Sequence, residues 1–211
     1  MSKRHRSGAA WKSIVLSRGE QFDLKRAALL REAARAFSAR GYHQTTLDDI
    51  AAVLGVTKAA LYYYVKGKQQ ILFECHMLSL DLGNSAIEYA CAHGKNGYEK
   101  TSLLTRRNIE LITGEMGEFA VLAEFNALTP ENRETIRRRR HDFEEVFKGF
   151  ITEGIADGSI RDVDPKLACF FYMGAVNWMT QWFSPEGAVK GEDIAMQFSD
   201  LFGAAVRRQQ E

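Results

Sequence analysis

Apolar residues recur at helical spacing along almost the whole 211-residue chain. Leu47, Ile50, Ala51 and Leu54 fall at steps of three and four, one face of a short helix opened by Thr46. Asp48 and Asp49 suit its electropositive first turn. Gly55 supplies a left-handed stop, Val56 plugs the corner, and Thr57 caps a second helix that begins at Lys58, with Leu61 and Val65 facing inward. Lys58, Ala59, Ala60, Tyr62 and Tyr63 are then left to meet a partner. Upstream, Leu24, Ala27, Ala28, Leu30, Ala33, Ala34 and Phe37 describe a helix capped by Asp23 and ended by Gly41. Downstream, helical patterns run from Lys68 to about Cys91 and then over about 101–113, 115–128, 130–157, 165–183 and 191–208, punctuated by Gly, Pro or Asp. Nine helices and no strand alternation predict an all-α fold. A flexible basic arm (1–22) precedes a three-helix head (23–67) and a larger helical bundle (68–211).

Two short helices joined through a glycine turn form a helix-turn-helix, whose second helix is shaped for a DNA major groove. Charge changes the picture further. Residues 1–70 carry 13 Lys and Arg against 5 Asp and Glu, whereas residues 71–211 carry 15 against 22, so the balanced whole hides a basic head on an acidic body. Tyr62 and Tyr63 put phenolic hydroxyls where a groove-bound helix meets the flanking backbone, or else pack on neighbouring helices. Lys68, Thr45 and Thr46 add phosphate donors nearby. Lys58 is the candidate base reader, through guanine O6 and N7, with a phosphate or solvent contact as the alternative. Arg4 and Arg6 either enter a minor groove or stay solvated.

The run AARAFSARGYHQTT, continuing as LDDIAAVLGV and TKAALYYYVKGKQQIL, resembles the TetR family of bacterial transcriptional regulators over about residues 24–74. The resemblance implies an all-helical homodimer with an N-terminal DNA-binding head and a larger ligand-binding and dimerisation domain. It puts Thr57, Lys58, Ala60 and Tyr62 at groove-facing positions, and Thr46, Tyr63 and Lys68 at backbone contacts. Ala59 stands where the family often has Gly, and Val65 where it commonly has Phe. Residues 123–187, notably EGIADGSIRDVDPKLACFFYMGAVNWMTQWFSPEG, are similar to a subgroup that answers to acyl-CoA thioesters in lipid or sterol breakdown. A drug sensor that controls an efflux pump is the alternative. Ligand-driven release from a palindromic operator is implied by the same resemblance.

The last two helical patterns are apolar nearly all round, which calls for a second partner, and a four-helix bundle between two subunits supplies one. Phe170, Met173, Gly174, Ile194, Phe198, Leu201 and Phe202 are the candidate dimer residues, with core packing as the alternative for each. Met116, Phe119, Leu122, Phe125, Asn126, Trp178, Met179, Gln181 and Trp182 combine apolar walls with a few amides, the make-up of a small-molecule pocket. Arg137 and Arg140, within the run Arg137 to Arg140, either meet an anionic head group there or pair with Glu131, Glu134, Glu144 and Glu145.

Three cysteines without CxxC spacing fit a reduced, cytoplasmic setting and ordinary packing rather than metal ligation. The chain shows no GxSxG, HExxH, phosphate-loop or dinucleotide fingerprint, so no cofactor and no enzymatic activity are expected. No apolar run is long enough for a membrane span.

Overall fold

The computed structural model describes residues 17–114, 124–184 and 186–208. The arm residues Arg4 and Arg6 and the pocket candidates Met116, Phe119 and Leu122 lie outside them. Eight α-helices are present among the described residues: α1 (Arg18–Arg40), α2 (Leu47–Val53), α3 (Lys58–Leu61), α4 (Lys68–His93), α5 (Gly97–Thr113), α6 (Pro130–Asp157), α7 (Pro165–Trp182) and α8 (Gly191–Val206). The helix expected over 115–128 ends, where it is described, in a 3-10 turn at Phe125–Ala127, entered through a left-handed Glu124 at φ 74°. An isolated antiparallel bridge between Ile160 and Arg207 clips the end of α8 to the α6–α7 connection.

α1 starts earlier than the apolar pattern predicts. Ser17, not Asp23, is its N-cap, in a reciprocal capping box with Glu20, so the stretch from Arg18 is helix rather than arm. Only the second half of α1 is buried, through Leu29, Leu30, Ala33, Ala34 and Phe37, while Leu24 stays 57% exposed. These residues close the head's core with Tyr42, Ile50, Ala51, Leu61 and Val65, and with Ile71, Leu72 and Cys75 of α4. The same core takes in Leu128 and Ile136 from beyond the head, so head and bundle share apolar packing.

α5 is central in the bundle, packed on α4, α6 and α8. It begins at Gly97, four residues before the apolar pattern, because Asn96 caps it by accepting from the Glu99 N–H at 2.9 Å. The Asp157 and Ser159 side chains accept from the next two free amides, those of Gly97 and Tyr98. α6 and α7 each open on a proline at N1, capped by Thr129 and Asp164. α7 resolves its all-round apolarity into two stripes. Cys169, Tyr172, Val176 and Met179 face the core, while Leu167, Phe170, Phe171, Gly174, Trp178 and Trp182 face outward.

Candidate nucleic-acid interface and effector cavity

The helix-turn-helix is built locally. Thr46 caps α2 in a capping box: its N–H and its hydroxyl each donate to Asp49 Oδ2 at 2.7 Å, and the Asp49 N–H donates back to Thr46 Oγ1 at 3.1 Å. Gly55 makes the turn at φ +65°, where a side chain would strain the backbone. Thr57 then accepts from the Ala60 N–H at 3.3 Å and starts α3. Leu61 and Val65 are each 2% exposed and anchor the second helix to the core. Val56 does not plug the corner. It is 44% exposed, because Leu54 turns toward the core in its place and only the Val56 backbone binds back, to the Ala51 carbonyl.

Anchoring from below leaves a continuous outer surface. Thr57, Lys58 and Ala59 are exposed, Ala60 is half-buried, and Tyr62 and Tyr63 are 53% and 73% exposed. Tyr64 turns inward, and its ring lies 5.0 Å from that of Phe22. Regular α-helix ends at Leu61 and passes into a tighter turn over 62–64, shorter than the expected helix. The Lys58 ammonium donates to Asp48 Oδ2 at 2.8 Å, which raises its pKa and holds it beside the recognition surface.

Two expected phosphate donors also have partners within the fold. Thr45 is fully buried, and its hydroxyl donates to the carbonyls of Gly41 (2.9 Å) and Ala36 (3.2 Å), so it cannot reach a phosphate. Lys68 donates to the carbonyls of Tyr42 (2.8 Å) and Thr45 (2.9 Å) and lies 4.1 Å over the Tyr42 ring. It clamps the loop between α1 and α2 onto α4. Both residues read as polar surface in the sequence; only the fold shows that the carbonyl ends of α1 and its loop turn toward them.

The bundle holds a partly open cavity of about 350 Å³, lined by Ser79, Leu80 and Gly83 of α4, Asn108 and Ile112 of α5, Arg140 and Phe143 of α6, and residues of α7. Of the expected pocket residues, Arg140 is on its wall. Trp178 and Trp182, 66% and 44% exposed, point away on the outer stripe, and Met179 is buried in the second core. Asn126 is exposed, and Phe125 packs against the head's core with Arg137 and Arg140 over its ring. Met173, expected at a dimer interface, lines the cavity with Val176 and Asn177. Ile194 (3% exposed) and Phe202 (4%) are likewise interior, the latter ring 5.9 Å from Phe147 and Tyr172. Phe170, Gly174 and Leu201 are exposed and Phe198 is half-buried. Asn108 was not anticipated: it is 7% exposed and donates to the Tyr172 hydroxyl at 2.7 Å. A lone Asn in an amphipathic helix carries no signal that distinguishes a cavity wall from a surface. Among the arginines, Arg137 pairs with Glu134 and Arg139 with Asp81, while Glu144 and Glu145 pair with Lys148 rather than with the arginine run.

Known proteins share this arrangement. The family model for the "Tetracyclin repressor-like, C-terminal domain" matches residues 94–206, and that for "Bacterial regulatory proteins, tetR family" matches residues 29–75. The chain belongs to the TetR family. The TetR regulator PfmR from Thermus thermophilus is 32% identical, with a TM-score of 0.77 over 85% of this chain and 99% of that one. AibR, solved in complex with isovaleryl coenzyme A and operator DNA, is 32% identical with a TM-score of 0.73, covering 84% and 97%. The HTH-type transcriptional repressor KstR2 of Rhodococcus jostii is 28% identical over 181 residues, 84% of this chain and 88% of that protein. As a TetR protein the chain is a DNA-binding transcriptional regulator, which agrees with the exposed second helix of its head. Among the described residues no helix is long and apolar enough to cross a membrane.

His76 of α4 makes the stability of this TetR chain depend on pH. It is 2% exposed and its Nε2 has no hydrogen-bond partner. Burial, reinforced by the positive Arg140, lowers its pKa from 6.5 to about 4. Between those values the unfolded chain binds a proton that the folded chain does not. Stability is therefore complete above pH 6.5 and falls as the pH drops toward 4, by about 1.4 kcal/mol per pH unit. Urea melts at pH 7 and pH 5 should show this slope in the wild type and lose it in His76→Gln; equal slopes would refute the assignment.

Proposed function

We propose that this TetR regulator is a homodimeric repressor that reads a palindromic operator with the surface of α3 and is released by a small acyl-type effector bound in the cavity. The DNA-reading part is carried by one observation: Leu61 and Val65 hold α3 to the core while Thr57, Lys58, Ala59, Tyr62 and Tyr63 stand exposed on the other side. In this reading Thr57, Lys58, Ala60 and Tyr62 approach base edges, and Thr46, Tyr63 and Lys68 hold the flanking backbone. The exposed apolar stripe of α7, continued by Leu201, pairs two subunits so that their heads meet successive major grooves about 34 Å apart. In this reading the activity is regulation rather than catalysis, in keeping with the family.

An acyl effector is supported by the apolar walls of the cavity and by the likeness to AibR, which was solved with isovaleryl coenzyme A. Calorimetric titration with acyl-CoAs, free acids and unrelated drugs tests it. Binding of a drug alone would favour the efflux-sensor reading.

Lys58 and Asp48 give the head its sharpest test. Their ion pair is solvent-exposed and adds little to stability, so substitutions there report on DNA. Lys58→Ala should weaken operator binding by about 1–3 kcal/mol and relax preference at one base position. Asp48→Asn removes a negative charge from the DNA-facing side and frees Lys58, and should tighten binding several-fold. Anisotropy titrations at two salt concentrations distinguish these outcomes, and unchanged affinity and selectivity in Lys58→Ala would exclude it as a base reader.

A further inference from the structure

Arg140 is the one charged side chain on the cavity wall among the described residues, set against Leu80, Ile112, Phe143 and Val176. Its neighbours Arg137 and Arg139 have carboxylate partners, Glu134 and Asp81. No described carboxylate forms an ion pair with Arg140, whose guanidinium lies 5.0 Å from the centre of the Phe125 ring. Burial lowers its pKa, the mark of a cation withdrawn from water. His76 sits one helical turn before Ser79 and Leu80 on the same face of α4, with its ring 6.4 Å from Phe125 and its Nε2 unpartnered. Arg140 and His76 thus meet about the Phe125 ring, which packs against the head's core beside the place where Arg140 joins the cavity wall.

A half-buried cation without an ion-pair partner among the described residues and a buried, unpartnered ring nitrogen are each unfavourable, and one ligand group satisfies both. A carboxylate takes two parallel hydrogen bonds from a guanidinium and can accept a third from the N–H of a neutral imidazole. The geometry points to an anion subsite in which Arg140 and His76 hold the free carboxylate of a small apolar acid. This rests on the cavity being the acyl-effector site, and narrows it. At about 350 Å³ the cavity is at the small end for ligand pockets, a size that suits an acyl chain with its carboxylate. The subsite also adjoins the head. Phe125 belongs to the turn whose Ala127 carbonyl accepts from Gln69 of α4, and whose Glu124 lies 3.9 Å from His43 in the loop before α2. A carboxylate that draws Arg140 off Phe125 acts on that turn.

Calorimetry and thermal shift on the full chain test this with octanoate, 4-methylpentanoate and phenylacetate, each beside its primary amide and its CoA thioester. At least one acid is expected to bind the wild type while its amide does not. Arg140→Gln should weaken that acid at least tenfold and His76→Phe several-fold. Arg138→Gln, which removes an exposed arginine from the same helix, should leave it unchanged. Melting curves of the unliganded variants show whether each is folded. Equal binding of acid and amide, or full affinity in folded Arg140→Gln, overturns the subsite. If thioesters bind wild type and Arg140→Gln alike while no acid binds, the subsite is overturned and the acyl-effector reading stands. Silence toward every acid, amide and thioester overturns both.

Discussion

Replacing Gly97 with alanine is expected to destabilise the bundle by about 3 kcal/mol, at or above the upper end for overpacked cores. A Cβ at Gly97 would fall 2.0 Å from the Gly154 nitrogen, 2.4 Å from its Cα and 2.4 Å from the Phe150 carbonyl oxygen. All three are backbone atoms of α6, so no rotamer change relieves the contact and the start of α5 must move away. That movement also pulls the Gly97 and Tyr98 amides from Asp157 and Ser159, and strains the Lys100–Glu153 ion pair at 2.7 Å. Gly149, on the exposed face of α6, has no atom within 4 Å of a built Cβ. Gly149→Ala should therefore leave stability unchanged or raise it by up to about 1 kcal/mol, the helical preference of alanine over glycine. At roughly 2–4 °C per kcal/mol for a chain of this size, thermal melts should separate the two variants by on the order of 10 °C. A Gly97→Ala protein as stable as the wild type would show that the close approach of α5 and α6 is not needed.

The double substitution Phe171→Glu with Trp178→Glu is expected to give a folded monomer that has lost operator binding by about a hundredfold or more. Both side chains are 66% exposed in the single subunit, so charge there leaves the fold intact while burying two carboxylates in any paired stripe. Bivalent engagement of two half-sites multiplies affinity by about 10²–10⁴, and a monomer forfeits it although each head is unchanged. Sedimentation at micromolar concentration, circular dichroism and operator titration read the three parts separately. A variant that stays dimeric, or a monomer that binds with wild-type affinity, would sink the proposed interface.

The head was largely legible because its determinants are contiguous. Thr46, Gly55 and Thr57 act through bonds to residues three positions away, and Leu47, Ile50 and Leu61 fall at helical spacing, so the chain states the motif before any tertiary contact forms. Its errors came where a distant element intervenes. Thr45 and Lys68 donate to carbonyls up to 26 positions away; the exposed Val56 is a local exception, two positions after a Leu54 that turns toward the core. Gly97 misled for a related reason. A glycine beside an asparagine reads as a helix break, yet here it opens α5, because only a residue without a Cβ fits against Gly154.

The sequence by itself determined an all-helical chain with a basic helix-turn-helix at its N-terminal end, and the residues its second helix leaves exposed follow from local periodicity. Which apolar residues of the bundle line the cavity, fill the core or face outward was decided by tertiary structure alone. α7 is apolar on nearly every side, so its sequence has no phase, and only the positions of α4, α5 and α6 turn Met173 and Val176 inward and Trp178 and Trp182 outward. The same packing paired Arg137 and Arg139 with carboxylates and left Arg140 on the wall of the cavity, a division among four identical neighbours that no local pattern encodes.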